Sequence, residues 1–261
     1  MTYTVLSLFP ELIDAFFTFS ILGKAVQEGL LGYRSVNIRD FARDKHKTCD
    51  DTPYGGGAGM LMMPEPVGQA LAALGLPNRL DPRLAEVKTY QSKPRVIYLS
   101  PAGRPFTQET AKSLAAEAEL VLLCGRYEGL DQRIIDAYVD EEISIGDYVL
   151  SSGEVAALVL IDATYRLLEG VIAPESLEEE SFSGGLLEYP QYTRPECYGM
   201  LTVPEVLLSG HHENIRRWRL RKRIEKTLAL RPDLIRQGEE AGLFDRETRT
   251  IIAELRNSGA G

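Results

Sequence analysis

Apolar positions along this chain recur with two different periods. Short runs dense in Val, Ile, Leu and Tyr alternate with longer runs whose apolar residues return every three to four positions. "YTVLSLF" (residues 3–9), "YRSVNIRDF", "PRVIYL", "ELVLLCG" and "EEISIG" have the first character and predict strands. "PELIDAFFTFSILGKAVQEG" has the second; it predicts one helix opened by Pro10 and closed near Gly29. "PEPVGQALAAL", "TQETAKSLAAEA" with Thr107 as N-cap, "QRIIDAYV" and the long "EVAALVLIDATYRLLEG" predict further helices. "ARDKHKTCDDTPYGGGAGMLM" has little periodicity and many glycines, so it reads as a long loop. Repeated strand–loop–helix units predict an α/β fold, a mostly parallel sheet with helices on both faces.

The character changes near residue 173. "APESLEEESFSGGLLEYPQYTRPECYG" is rich in Pro, Gly, Ser and Glu and reads as an exposed linker. Helical signals dominate beyond it. The expected organisation is an α/β domain over 1–172, a linker over 173–186 and a small helical domain over 187–261. No internal repeat is visible.

Composition narrows the class. The 261 residues are 44% hydrophobic and 26% charged, ordinary values for a soluble globular chain. Three widely spaced cysteines without a C-x-x-C pair suggest neither a zinc site nor a disulfide framework. A reduced, cytoplasmic setting is the simplest reading. The N-terminus lacks the basic region of a signal peptide, and the most apolar window is cut by Asp162 and Arg166, so no membrane span is expected.

Three loops leave the carboxyl ends of successive strands: "YLSPAG", "LLCGRYEG" and "SIGDYVLSSG". Ligands sit beyond such ends in open parallel sheets, and glycine lets backbone approach them. The chain has no G-x-G-x-x-G after a strand, no G-x-x-x-x-G-K-[ST], no H-E-x-x-H and no G-x-S-x-G. Only Arg104 and Arg126 bring full positive charge to these loops, which suits a ligand without a polyphosphate.

Taken together, "YLSPAG", "LLCGRYEGLDQR", "SIGDYVLSSGE", "YTRPE" and "SGHHENIRRWR" resemble the bacterial tRNA (guanine-N1)-methyltransferases of the SPOUT class. "LFPELI", the glycine loop and "LRKR" fit the same pattern, and the resemblance runs from about Tyr3 to Arg236. It implies a C-terminal trefoil knot in the α/β domain, a feature that nothing in the periodicity predicts. It implies S-adenosylmethionine as methyl donor, held by Tyr98, Leu99, Ser100, Pro101, Gly103, Gly125, Tyr127, Glu128, Ile145, Gly146, Tyr148, Leu150 and Gly153. It implies as substrate the guanine at tRNA position 37, preceded by another guanine. It also implies a homodimer with the active site at the subunit interface, and magnesium dependence, although no dedicated metal cluster is legible.

Methylating N1 of guanine requires that a carboxylate take the N1 proton and that a cation stabilise the charge building at O6. By resemblance the cation is Arg166 and the carboxylate belongs to the linker. There the chain reads "EEESF", with Glu180 where the family usually has Asp. Glu180 is taken as the base, with Glu179 and Asp162 as alternatives; apart from the resemblance, Glu178–Glu180 is a solvated acidic run. Ala58, Ser152 and Ala156 depart from the family pattern in the loops and are expected to shift donor affinity slightly.

Charge completes the picture. The chain carries a formal charge of -9, yet residues 216–236 hold nine Lys or Arg against Glu225 and Asp233. Such a cluster suits RNA phosphates even on an acidic chain. Leu220, Ile224 and Leu228 form an i, i+4, i+8 stripe that docks inward. Trp218 lies off that stripe and reads as a packing residue, with base stacking the alternative. The expected tRNA contacts are Arg43, His46, Asp51, Gly57, Gly59, His211, Arg216, Arg217 and Arg219, with His211 also able to cap a helix. Other readings of the same features are a knotted methyltransferase acting on rRNA or ribose, an RNA-binding module with vestigial loops, and a small-molecule enzyme whose basic helix meets a partner.

Overall fold

The computed structural model describes residues 1–81, 93–173 and 180–258. The chain divides into two compact units, Met1–Ile172 and Ala173–Gly261. Residues 174–179, including the alternative base Glu179, lie outside the described residues.

The first unit is built on a five-stranded sheet in the order β2-β1-β6-β5-β7, and every pairing in it is parallel. Its strands are β1 (Thr2–Ser7), β2 (Gly32–Asn37), β5 (Arg95–Pro105), β6 (Glu119–Cys124) and β7 (Glu141–Ser144). Side chains alternate across the pleat. Leu120, Leu122 and Cys124 of β6 join Ile97 and Leu99 of β5 and Tyr3 and Val5 of β1 in one core. That core is closed by α1 (Pro10–Phe16), α2 (Ser20–Gln27), α4 (Gln108–Ala115) and α6 (Gly153–Tyr165). Val121 and Leu123 of β6, with Val96 and Tyr98 of β5, face the opposite core, where α3 (Pro64–Ala73) and α5 (Gln132–Tyr138) pack. Both faces are therefore covered, as near-continuous apolar strands require.

Local signals act where expected in several elements. Pro10 and Pro64 open α1 and α3. The Thr107 hydroxyl accepts from the Thr110 amide at 3.2 Å and caps α4. Three readings need correction. The helix expected over residues 10–29 is two helices, because the chain turns at residues 17–19 and enters α2 with Ser20 in the left-handed region at φ 53°. "SPAGRP" is not a simple loop: β5 continues through it after a bulge, so that Leu99 and Arg104 both align with Ile143. The glycine-rich segment contains a two-residue ladder between β3 (Asp50–Asp51) and β4 (Leu61–Met62).

In the second unit, α8 (His212–Leu230), α9 (Pro232–Glu240) and α10 (Arg246–Ser258) enclose Leu186, Ile224, Ile235, Phe244 and Ile252. The predicted stripe does dock inward: Ile224 is fully buried, and Leu220 and Leu228 pack against the same cluster. Buried Thr227 accepts from the Leu187 amide at 2.9 Å, tying the segment before α8 to the helix. A short hairpin of β8 (Cys197–Tyr198) and β9 (Leu201–Thr202) precedes α7 (Glu205–Leu208).

Candidate functional site

A cavity of about 380 Å³ opens where β5, β6 and β7 end. Its lining comes from the three loops singled out in the sequence. From the first come Tyr98, Leu99, Ser100 and Pro101; from the second, Gly125, Tyr127 and Glu128; from the third, Ile145, Gly146, Tyr148, Leu150 and Gly153. Those are twelve of the thirteen residues expected to hold the donor. Gly103 lies outside the lining. A β-carbon there would stand 2.5 Å from the Glu142 carbonyl carbon, so the absent side chain lets the returning leg of β5 pass the β7 backbone.

Close approach of backbone shapes the walls. The Gly153 amide donates to the Gly125 carbonyl at 2.7 Å, joining the start of α6 to the end of β6. A β-carbon on Gly153 would meet the Gly125 nitrogen at 2.8 Å, and one on Gly125 would meet the Tyr98 ring at 2.8 Å. Tyr127 turns the second loop with a φ of 59°. The Tyr148 hydroxyl donates to the Ile145 carbonyl at 3.2 Å. Burial raises the Tyr98 phenol above its ordinary pKa, so it stays protonated at neutral pH and remains a donor.

The two cations of these loops part company. Arg104 is turned onto Glu141 in an ion pair, while Arg126 lines the cavity with its guanidinium 4.6 Å from the centre of the Phe9 ring. The glycine loop reaches the same place: the Glu128 amide donates to the Met60 carbonyl at 2.9 Å. A β-carbon on Gly59 would fall 2.4 Å from a Glu128 carboxylate oxygen. Gly59, expected at the substrate, and Glu128, expected at the donor, are thus neighbours. Gly57 and Gly59 hold φ values of 129° and 91°, a region that side chains other than glycine avoid.

Ser144 and Ser151, given no role from the sequence, also line the cavity, as does Ser152, where a slight shift in donor affinity was expected. Glu154 closes the quoted motif "SIGDYVLSSGE" but was given no role there. It is 1% exposed in the first turn of α6, its Oε1 accepts from the Ser7 hydroxyl at 2.6 Å, and its Oε2 has no hydrogen-bond partner.

Arg166 does not belong to the cavity wall. It caps the C-terminal end of α6, whereas Gly153 opens that helix at the cavity. Thirteen residues at 1.5 Å each separate them by about 20 Å along the axis. Asp162, the other carboxylate considered as base, is exposed one turn earlier; its charge helps burial raise the Tyr165 phenol. Glu180, in the second unit, is half-buried beside a tight turn in which the Phe182 amide donates to the Leu186 carbonyl at 2.8 Å.

The residues expected to meet RNA are largely exposed, but several carry internal partners. Arg43 pairs with Glu65 at 2.9 Å. The His46 amide donates to Asp44 at 2.9 Å, and Asp51 accepts from the Thr52 amide at 2.7 Å. His211 caps α8, its Nδ1 accepting from the Asn214 amide at 3.4 Å. Arg216 bridges Glu213 at 2.9 Å and Glu247 at 2.7 Å, and Arg217 reaches Glu247 at 3.1 Å. Hydrogen bonds from Arg216 hold both carboxyls below the usual range. Arg221 pairs with Glu225 and Glu254. The cationic excess read along residues 216–236 is therefore reduced in space, because α10 brings acids from beyond that stretch. Arg219 differs: its guanidinium lies 4.7 Å over the Tyr189 ring.

Among the described residues, no group of three or more His, Cys, Asp or Glu converges on a metal position, and no helix is long and apolar enough to cross a membrane. The cysteines are free, Cys49 and Cys124 buried and Cys197 exposed.

Residues 1–237 match the family model described as tRNA (Guanine-1)-methyltransferase TrmD. Proteins named tRNA (guanine-N(1)-)-methyltransferase are similar over nearly the whole chain. The one from Treponema denticola is 58% identical over 257 residues, covering 98% of this chain and 100% of the relative. Those from Treponema pallidum and Borreliella burgdorferi are each 54% identical, covering 98% and 95% of this chain and 96% and 100% of their own.

Proposed function

Because this chain belongs to the tRNA (guanine-1)-methyltransferase family, we propose that it transfers a methyl group from S-adenosylmethionine to N1 of guanine 37 in tRNA, in a G36G37 context. The observation that carries this reading is the convergence of three separate loops, with twelve of the expected donor residues, on one cavity.

That cavity fits the donor chemically. Leu99, Ile145 and Leu150 offer apolar walls, and the loop backbones offer amides and carbonyls for an adenine edge. Gly125 and Gly153 stand where a side chain would fill the space or displace the neighbouring backbone. Glu128 supplies a carboxylate to offset a sulfonium charge. The bound donor supplies an electrophilic methyl group.

The chain's own residues handle the guanine. Glu180 takes the N1 proton, leaving an electron pair on N1 for the methyl carbon, and Arg166 stabilises the negative charge spreading to O6. Within one copy, Arg166 stands about 20 Å along α6 from Gly153 in the cavity wall. That separation favours a homodimer in which the arginine serves the cavity of the second copy. α6 supports the same view, since exposed Val155 and Val159 share a face with Asp162 and Arg166 at i, i+4, i+7 and i+11. The close backbone passes at Gly103 and Gly153 fit a knotted chain, and three free cysteines fit a reducing cytoplasm. The described residues offer no fitting cluster for magnesium, and no step is assigned to it.

Methyl transfer to tRNA transcripts carrying G or A at position 37, followed by nucleoside mapping, tests the reading. It predicts 1-methylguanosine from the G37 transcript and negligible product from A37. A ribose-methylated product, or equal transfer to both, would overturn it.

A further inference from the structure

Two charges of opposite sign line the cavity at the ends of β5, β6 and β7, and the chemistry set out above uses only one of them. Arg126 and Glu128 stand two residues apart on the loop after β6, and every other residue of the lining is neutral at pH 7. Among the described residues neither is held in an ion pair, unlike Arg104, which Glu141 engages. A sulfonium answers the charge of Glu128; Arg126 has no counterpart in that account.

Arg126 is fixed at both ends. Its backbone forms an antiparallel bridge with Ser152, and its carbonyl accepts from the Gly129 amide at 3.0 Å. Its guanidinium lies 4.6 Å from the centre of the Phe9 ring. Phe9 is held in turn from inside the fold. Its amide donates to the Ser7 Oγ at 2.7 Å, and the Ser7 hydroxyl donates to Glu154 Oε1 at 2.6 Å. Ser7 and Glu154 are both buried. Burying a carboxylate is costly unless its oxygens are satisfied, and Glu154 Oε2 has no partner. The first turn of α6, where the helix dipole favours negative charge, offsets part of that cost. What the buried pair supplies is a firm anchor for Phe9 and, through its ring, a set orientation for Arg126.

A guanidinium presented in a set orientation pairs with a carboxylate through two parallel hydrogen bonds. The methyl donor ends in an amino acid, so it carries a carboxylate as well as its sulfonium. One cation and one anion, two residues apart on one loop, match those opposite charges. A chain of phosphates would call for several cations, and the lining has one.

We propose that Arg126 receives the α-carboxylate of the methyl donor, and that Phe9, anchored by Ser7 and Glu154, is the positioning residue that orients it. This deepens the donor-cavity reading and rests on it.

Calorimetry on the full chain with two probes that differ by one group, S-adenosylmethionine and its decarboxylated analogue, tests the proposal. Wild type is expected to prefer the carboxylate-bearing probe by about ten-fold or more, the scale of one charge-assisted pair. Arg126→Met is expected to bind both probes alike, at the affinity that wild type has for the decarboxylated one. Phe9→Leu keeps the arginine and loses the ring. It is expected to cut the preference about three-fold, to leave affinity for the decarboxylated probe unchanged, and to add nothing in the Arg126→Met background. Equal affinities in wild type, or a preference that survives in folded Arg126→Met, would overturn the carboxylate site. The wild-type ratio needs no variant, so a misfolded Arg126→Met leaves that test standing. A wild-type ratio in Phe9→Leu, or an equal weakening of both probes, would overturn the positioning role. Wild-type protein that binds neither probe would instead overturn the donor reading beneath.

Discussion

A β-carbon added at Gly153 would stand 2.8 Å from the Gly125 nitrogen and 2.9 Å from the Cys124 α-carbon, both backbone atoms that cannot rotate aside. Gly153→Ala should therefore push the start of α6 off the end of β6. We expect a stability loss of about 1–3 kcal/mol, the usual cost of overpacking, with donor affinity falling at least ten-fold in calorimetry. An unchanged melting temperature and affinity would show that the loops do not meet as tightly as described. At the same scale, the proposed role of Glu180 predicts that Glu180→Gln slows single-turnover methyl transfer by about 10²–10⁴-fold, since proton removal is lost. Donor binding should stay at the wild-type value; near-normal rates would move the base elsewhere. The loop glycines were visible in the sequence as chain turns. Which backbone each one meets was not, because Cys124 and Gly153 are far apart in sequence and their contact depends on the whole sheet. The burial of Glu154 was invisible for a similar reason: it is enclosed beside Ser7, yet in sequence it is one more acid at a helix start.

Helices and strands show where periodicity succeeds and fails. The alternation of β1, β6 and β5 with apolar helices was readable because each strand buries both faces. The break between α1 and α2 was not, because Phe16, Phe17, Phe19, Ile21 and Leu22 carry the apolar pattern across it. In "SPAGRP" the Pro and Gly look like loop residues, but a bulge absorbs the extra length and the strand resumes. α8 carries the clearest lesson, since its charge was counted along the chain while Glu247 and Glu254 come from α10. Glu247 offers a pH test. Hydrogen bonds from Arg216 and then Arg217 lower its folded pKa below the ordinary carboxyl value of about 4.3. Its stabilising effect is present above that value and is lost as pH falls through the lower folded one. Glu247→Gln should therefore flatten the acid limb of the melting-temperature profile below about pH 5, and an unaltered limb would contradict the ion pair. On α6, the proposed dimer predicts that Val159→Asp, placed on the exposed face, shifts sedimentation from dimer to monomer and abolishes methyl transfer. A dimer that persists would move the interface to another surface.

At the scale of the molecule, the cavity proposed for the donor is lined mostly by apolar and neutral residues, while the Lys- and Arg-rich α8 lies in the other unit. The family was legible because its motifs lie in the right order along nearly the whole chain. The proposed sharing of the site between two copies has no counterpart in the periodicity, since a second copy leaves no mark on the sequence of the first. The account depends most on one assignment, that the cavity at the ends of β5, β6 and β7 seats the methyl donor. Calorimetric titration of S-adenosylhomocysteine into the wild-type protein and into Gly125→Val tests it most directly. The Gly125 position faces the Tyr98 ring, so a larger side chain there occupies the cavity wall. The account predicts saturable binding to wild type and its loss in Gly125→Val with the fold retained by circular dichroism. No binding to wild type, or equal affinity in a folded variant, would contradict it.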